Sequence, residues 1–383
     1  MKNPQIYFDH ASTTYTVPEV VEAMLPYFTE KYGNPHSNHT AGLEAKQAID
    51  QSRETVARHL NCSPSEIIFC GSATEANNLC LKGFARANKN KGNHIITCNI
   101  EHKSVLNPLK YLKKNEGFKI TFLQVDNDGL VNPDDLEKAI TDETILVSIM
   151  YANNEIGTVQ PIKKLGEICK KHAIPFHTDA CQAAGALNLN TQEQNIDLMS
   201  FSSSKFYGPK GIGILFKKQN LDIKPIIHGG GQEFGLRSGT HNTAYIVGLA
   251  KALQLAQENS GQENARLIKL RDYLIESLLK KIPGIKLNGH KEKRLPNNIN
   301  ISIPDIDGAE LLLHLDAIGI YASTGSACSA KKTAPSHVLL AIDLPENMAN
   351  SSLRLTLGKS ISEKEINYLL EKLPPIIEKL QKN

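Results

Sequence analysis

From Ile67 to Phe216 the sequence alternates short apolar runs with helical patterns, and this alternation restricts the possible fold more than any other feature. The runs with strand length and strand composition are Ile67–Cys70, His94–Cys98, Lys119–Val125, Thr144–Met150, Pro175–Thr178, Leu198–Ser202 and Gly213–Phe216. Helical patterns lie between them, for example Glu75–Ala87, Ser104–Lys114, Pro133–Ile140 and Ile162–His172. Such alternation predicts an α/β fold, a large mostly parallel sheet covered on both faces by helices. Ligands of such folds bind beyond the carboxyl ends of the strands. After Gly239 the texture changes to two long helical patterns, Thr243–Glu258 and Asn264–Lys281, broken by the polar Asn259-Ser-Gly-Gln262. A strand at Asn298–Ile303, a helix at Gly308–Ile318, a loop around Cys328, a strand at Ser352–Thr356 and a last helix from Glu363 complete a smaller α+β domain.

The chain has 383 residues, 40% of them hydrophobic, enough for two cores. Its 43 Lys and Arg against 40 Asp and Glu leave a net charge of +3, so no dedicated nucleic-acid surface is expected. The seven cysteines, at 62, 70, 80, 98, 169, 181 and 328, include no C-x-x-C pair and leave one over. That argues against a disulfide framework and against a zinc ribbon, and for a reducing compartment. The N-terminal stretch Met1 to His10 has no apolar signal core, and no later run approaches the ~18 apolar residues that a membrane span needs. A cytoplasmic protein without membrane contact is expected.

Several strand ends carry chemistry. In Met199-Ser-Phe-Ser-Ser-Ser-Lys205-Phe-Tyr-Gly-Pro-Lys-Gly-Ile-Gly213 a single lysine stands between a serine run and a glycine-rich turn. Ser202, Ser203 and Ser204 offer hydroxyls, and the glycines allow close backbone approach, which suits a Schiff-base lysine beside a phosphate. A solvated lysine in a hairpin is the plainer alternative. Upstream, Pro175-Phe-His-Thr-Asp-Ala-Cys-Gln182 reads as a buried strand ending in Asp179, a partner for a protonated pyridine nitrogen. Phe69-Cys-Gly-Ser-Ala-Thr-Glu-Ala-Asn77 places a hydroxyl-rich turn at a helix start, an anion site or simply a cap. His102, in Ile100-Glu-His-Lys-Ser104, follows a strand and opens a helix, so its side chain would project from a strand end into the crevice. The loop Ala322-Ser-Thr-Gly-Ser-Ala-Cys-Ser-Ala-Lys-Lys-Thr-Ala334 surrounds Cys328 with small residues and two lysines, which favours its thiolate. The other six cysteines default to core packing.

With these residues in place the chain resembles, nearly end to end, the cysteine desulfurases of the NifS/IscS type. These belong to the class V aminotransferase group of pyridoxal-phosphate enzymes of fold type I. The resemblance implies a large cofactor domain at 14–255 and a small domain made of 1–13 plus 256–383 that carries the cysteine loop. It makes Lys205 the lysine that holds pyridoxal 5'-phosphate, and gives Ala73, Thr74, Ser202 and position 204 as phosphate contacts. Position 204 departs from the pattern, with Ser204 where the family usually has histidine. Thr240, in Arg237-Ser-Gly-Thr240, reaches the phosphate of a neighbouring subunit, so a homodimer is implied. His102 stacks on the cofactor ring and serves acid/base steps, Gln182 contacts the phenolic oxygen, and Asn154 contacts cofactor and substrate. Arg354 grips the carboxylate of the substrate, L-cysteine. Cys328 takes the sulfur as a persulfide, L-alanine is released, and a sulfur-acceptor protein follows, such as an iron–sulfur scaffold or thiolation protein. Another enzyme on this fold, an aminotransferase or a selenocysteine lyase, and a sulfur-relay protein without catalysis are the alternatives; an aminotransferase would not need Cys328.

Overall fold

The computed structural model describes residues 5–324 and 335–382. Its strands are β1 (Ile6–Tyr7), β2 (Ile67–Cys70), β3 (His94–Cys98), β4 (Lys119–Leu123), β5 (Thr144–Ser148), β6 (Phe176–Asp179), β7 (Leu198–Ser202), β8 (Gly213–Lys217), β9 (Lys286–Leu287), β10 (Asn298–Ser302), β11 (Ile320–Tyr321) and β12 (Ser352–Thr356). The central sheet has the order β2-β8-β7-β6-β5-β3-β4. Pairings from β7 through β4 are parallel, and β8 runs antiparallel to both of its neighbours. Strands buried on both faces explain the near-continuous apolar runs in the sequence. In β2, Ile67 and Phe69 join one apolar cluster and Ile68 and Cys70 the other, as the period of two requires.

One face of this sheet is covered by helix Thr40–Leu60, which packs against Thr243–Glu258, together with Ile162–Lys171. Helix Thr40–Leu60 was not among the sequence expectations. The other face carries a continuous helix over 73–88, with a π-turn at Leu79–Gly83, and helix Lys103–Glu116. The break expected at 259–262 narrows to one residue: Asn259 leaves helical geometry and Ser260–Lys281 starts at once.

A second core contains Phe8, Leu274, Leu278, Ile299, Ile301, Leu315, Leu353, Leu355 and Leu370. It is built on the antiparallel sheet β12-β10-β9, the parallel pair β1-β11, and helices Ser260–Lys281, Gly308–Ala317 and Glu363–Leu380. Beyond β1 the chain stays on this sheet, because Asp9 bridges to Thr356 in the parallel sense. Among the described residues no helix is long and apolar enough to cross a membrane.

Candidate active site

β2, β3, β5, β6 and β7 point the same way, so their carboxyl ends reach one edge of the sheet, and each releases functional side chains there. β2 leads through Gly71 and Ser72 into helix 73–88, where Ser72 Oγ caps the first turn by accepting from Glu75 N at 3.1 Å. Gly213, the first residue of β8, makes this fit possible. A Cβ there would stand 2.7 Å from Ala73 N and 2.9 Å from Phe201 O. β3 leads to Glu101 and His102, and His102 caps helix Lys103–Glu116 through Nδ1. After β5, Asn153 is spent on the backbone: Oδ1 accepts from Glu155 N and Ile156 N, and Nδ2 donates to Ile100 O. Asn154 is left to line the site.

β6 ends on Asp179, whose Oδ1 accepts from Cys181 N at 3.0 Å and whose Oδ2 accepts from Asn77 Nδ2 at 2.7 Å. β7 ends on Ser202 and turns through Ser203–Lys205 in a single 3-10 turn. The three serines of this run divide. Ser202 Oγ and Ser204 Oγ lie 3.3 Å apart and both residues line the cavity. Ser203 is fully buried and ties the turn by donating to Pro209 O, so it is no ligand donor.

Together these ends enclose a cavity of about 490 Å³ that also receives Ala73, Thr74, His102, Gln182, Lys205 and Arg354. Lys205 Nζ donates to Ala11 O at 2.9 Å and Ser12 O at 2.5 Å. Gln182 Nε2 donates to the same Ala11 O at 3.0 Å. Arg354, almost wholly buried on β12, donates from Nη2 to Asp9 Oδ1 and Ser12 Oγ, both at 2.7 Å, and from Nη1 to Asn154 O at 3.1 Å. The segment 9–14, which the sequence analysis left without a role, therefore cradles both the lysine and the arginine. The signal available in the sequence was Asp9-His10 followed by the small residues Ala11 and Ser12.

Acids in and behind the cavity wall differ in character, Glu101 being fully buried and not among the lining residues. Burial and then the charge of Asp179 push the Glu101 carboxyl up to about 8. Burial likewise raises Glu155, a cavity-lining residue that accepts from Ser336 Oγ, to about 7. Cys181 departs from the expectation of core packing: it lines the cavity, and burial followed by the neighbouring Asp179 charge pushes its thiol well up. Cys70, Cys80, Cys98 and Cys169 are buried, and Cys62 is half-buried. Thr240 is exposed and is not among the residues lining this cavity; Arg237, three residues earlier, is anchored to Glu75 at 2.8 Å. Cys328, Lys331 and Lys332 lie outside the described residues.

The donor set fits a phosphorylated pyridine aldehyde. An amine and a carboxylate acceptor share the cavity with two serine hydroxyls and the N-terminal turn of helix 73–88. Among the described residues no group of His, Cys, Asp and Glu is arranged to hold a metal ion.

Comparison with known proteins defines the class. The family model for class-V aminotransferases matches residues 6–369. The chain belongs to this family, and its fold is the type I fold of pyridoxal-phosphate-dependent enzymes. More particularly, a cysteine desulfurase IscS of Clostridium botulinum is 53% identical over 98% of this chain and 95% of its own length. A second, from Methanosarcina thermophila, is 49% identical over 99% of this chain and 94% of its own. A solved NifS-like protein superimposes with a TM-score of 0.93 at 40% identity, covering 98% of this chain and 100% of that one. SspA in complex with cysteine gives a TM-score of 0.81 at 38% identity over 92% of this chain and 99% of that one.

Proposed function

We propose that this protein is a pyridoxal-phosphate-dependent cysteine desulfurase that takes sulfur from L-cysteine, releases L-alanine and carries the sulfur as a persulfide on Cys328. The observation that carries this reading is the meeting of Lys205, Asp179, His102 and Arg354 around one cavity. When bound, the cofactor supplies an electron sink that acidifies the α-hydrogen of an amino acid and loosens its bond to sulfur. Lys205 would supply the amine that holds the cofactor and would take the α-proton of the substrate; the Ala11 and Ser12 carbonyls accept from that amine. Asp179 would accept the hydrogen bond of the ring nitrogen, His102 would lie against the ring, and Gln182 would meet the phenolic oxygen. Ala73, Thr74, Ser202 and Ser204 would hold the phosphate, Ser204 as a short uncharged donor. Arg354 and Asn154 orient the substrate carboxylate, a task for which the guanidinium fork is suited. The thiolate of Cys328 would attack the substrate sulfur as the Cβ–S bond breaks; the electron pair of that bond stays with the carbon fragment, which takes up a proton and leaves as L-alanine.

Thr240 serves the phosphate of a second subunit, so the working form is a homodimer. We assign the chain to a large domain at 14–255 and a small one made of 1–13 plus 256–383, the second core supplying Arg354. The acceptor is a thiol of an iron–sulfur scaffold or thiolation protein in the cytoplasm. The test is to give the purified protein L-cysteine without reductant. It should release alanine and gain about 32 Da on the peptide containing Cys328. Absence of alanine, or persulfide on Cys181 instead, overturns the reading. Cys328→Ala should keep the cofactor and lose turnover, which an aminotransferase would not do.

A further inference from the structure

Asn77 stands outside every role given above, yet it is fully buried and both hydrogens of its amide are committed. Nδ2 donates to Asp179 Oδ2 at 2.7 Å and to Ser104 Oγ at 2.9 Å. The amide has one orientation here, because turning it over would set its oxygen against a carboxylate that only accepts. Ser104 Oγ, having accepted from Asn77, lies 2.7 Å from His102 Nδ1. The backbone N–H of Ser104 points at the same nitrogen from 3.1 Å. An N–H is met by a lone pair, so Nδ1 is bare, the Ser104 hydroxyl donates to it, and the single proton of the neutral imidazole sits on Nε2.

We propose that Asn77 is a positioning residue that sets the direction of a hydrogen-bond chain from Asp179 to His102 and, together with the Ser104 backbone N–H, holds His102 as the Nε2–H tautomer. One amide then serves two groups. It stabilises Asp179 as an acceptor and, through Ser104, makes Nε2 the proton-bearing nitrogen of His102. The catalytic consequence rests on the desulfurase reading, in which both side chains face the cofactor; the tautomer does not.

The test uses the full-length, cofactor-loaded protein with ¹⁵N-labelled histidine, its His102 signals assigned by their loss in His102→Gln. Correlations from the ring nitrogens to the carbon-bound ring hydrogens distinguish the tautomers. The wild type should show an unprotonated Nδ1 and a protonated Nε2 for His102. Asn77→Asp keeps the shape; beside Asp179 its carboxyl shares one proton with that carboxylate and has none to give Ser104, so the Ser104 hydroxyl turns towards it and the single-tautomer pattern should shift towards Nδ1 protonation. A wild-type Nδ1–H, or an unchanged pattern in Asn77→Asp, overturns the proposal. If Asn77→Asp does not fold, Ser104→Ala replaces it, since alanine is at home in a helix. There Nδ1 keeps the backbone N–H but loses the hydroxyl donor, so the Nε2–H fraction should fall in part, and an unchanged fraction counts against the relay. The tautomer is read without turnover, so its failure leaves the desulfurase reading standing, and failure of that reading leaves the tautomer untouched.

Discussion

Replacing Glu101 by glutamine should stabilise the protein in mild alkali and leave it almost unchanged in mild acid. Glu101 is fully buried; Oε1 accepts from Met150 N at 2.5 Å and lies 3.4 Å from Cys98 Sγ, while Oε2 has no partner. Its carboxyl is raised from 4.5 to about 8, by burial first and by the Asp179 charge second. Between those two values the folded state keeps a proton that the unfolded state has lost. The contribution of this site to stability is therefore full below the unfolded value, falls as pH rises towards the folded one, and is flat beyond it. The whole span corresponds to about 5 kcal/mol, a steep term for one side chain. Glutamine has the same outline, keeps a carbonyl for the Met150 N–H and does not ionise. Urea midpoints of both proteins, measured at about one-unit steps from pH ~5 to ~9, should show a gap near zero that widens by ~1.4 kcal/mol per unit up to about pH 8. The titration of all other groups cancels in the difference. A gap that does not change with pH would refute the assignment of a neutral Glu101 at pH 7.

Lys205→Ala should remove both the yellow colour of the bound cofactor and alanine release, read by absorbance and product assay, because among the described residues of the cavity lining the amine beside Ala11 O and Ser12 O has no counterpart but Lys103. Ser204→His should tighten the cofactor by on the order of 1 kcal/mol through one charge-assisted hydrogen bond, slowing its loss on dialysis about 5-fold; equal or faster loss would contradict the role given to Ser204. Arg354→Lys should raise KM for cysteine roughly 10- to 100-fold, with the cofactor retained, since an ammonium replaces the planar fork that now spans Asp9, Ser12 and Asn154.

The sheet was legible because its strands are buried on both faces. β2, β3 and β7 match the runs seen in the sequence, and β4 and β5 end two residues earlier than the apolar run does. Apolarity outlasts the regular strand there: Ile149 and Met150 are buried after β5, where Ile149 N still donates to His177 O at 3.1 Å while Met150 N turns to Glu101 Oε1. Helix Thr40–Leu60 was not legible for a related reason. Its inner face is largely alanine and small polar residues, Ala45, Ala48, Ser52 and Ala57 among them, so the apolar stripe has little contrast although it packs closely on Thr243–Glu258. The π-turn at Leu79–Gly83 is equally silent, because Leu79, Cys80, Leu81 and Gly83 are all buried and no period stands out.

The site divides in the same way between groups that act through side chains and groups that act through the backbone. Lys205, Asp179, His102 and Arg354 announce themselves by residue type, and the strand ends bring them into one cavity. Segment 9–14 acts largely through carbonyl oxygens, which every residue possesses: Ala11 O serves Lys205 and Gln182, and Ser12 O serves Lys205. Its placement follows from pairing rather than from chemistry. Asp9 bridges to Thr356 on β12, two residues past Arg354, so the acid that pairs with the arginine and the carbonyls that steady the lysine arrive on one stretch of chain. Gly358 permits the approach, since a Cβ there would stand 2.1 Å from His10 Nε2. Lys205 itself comes from the large sheet. The lysine and the arginine are thus set on different cores, and the distance between them is fixed by a segment that touches both. A change at Asp9 or Gly358 should therefore disturb substrate orientation while leaving the cofactor contacts of Asp179 and helix 73–88 intact.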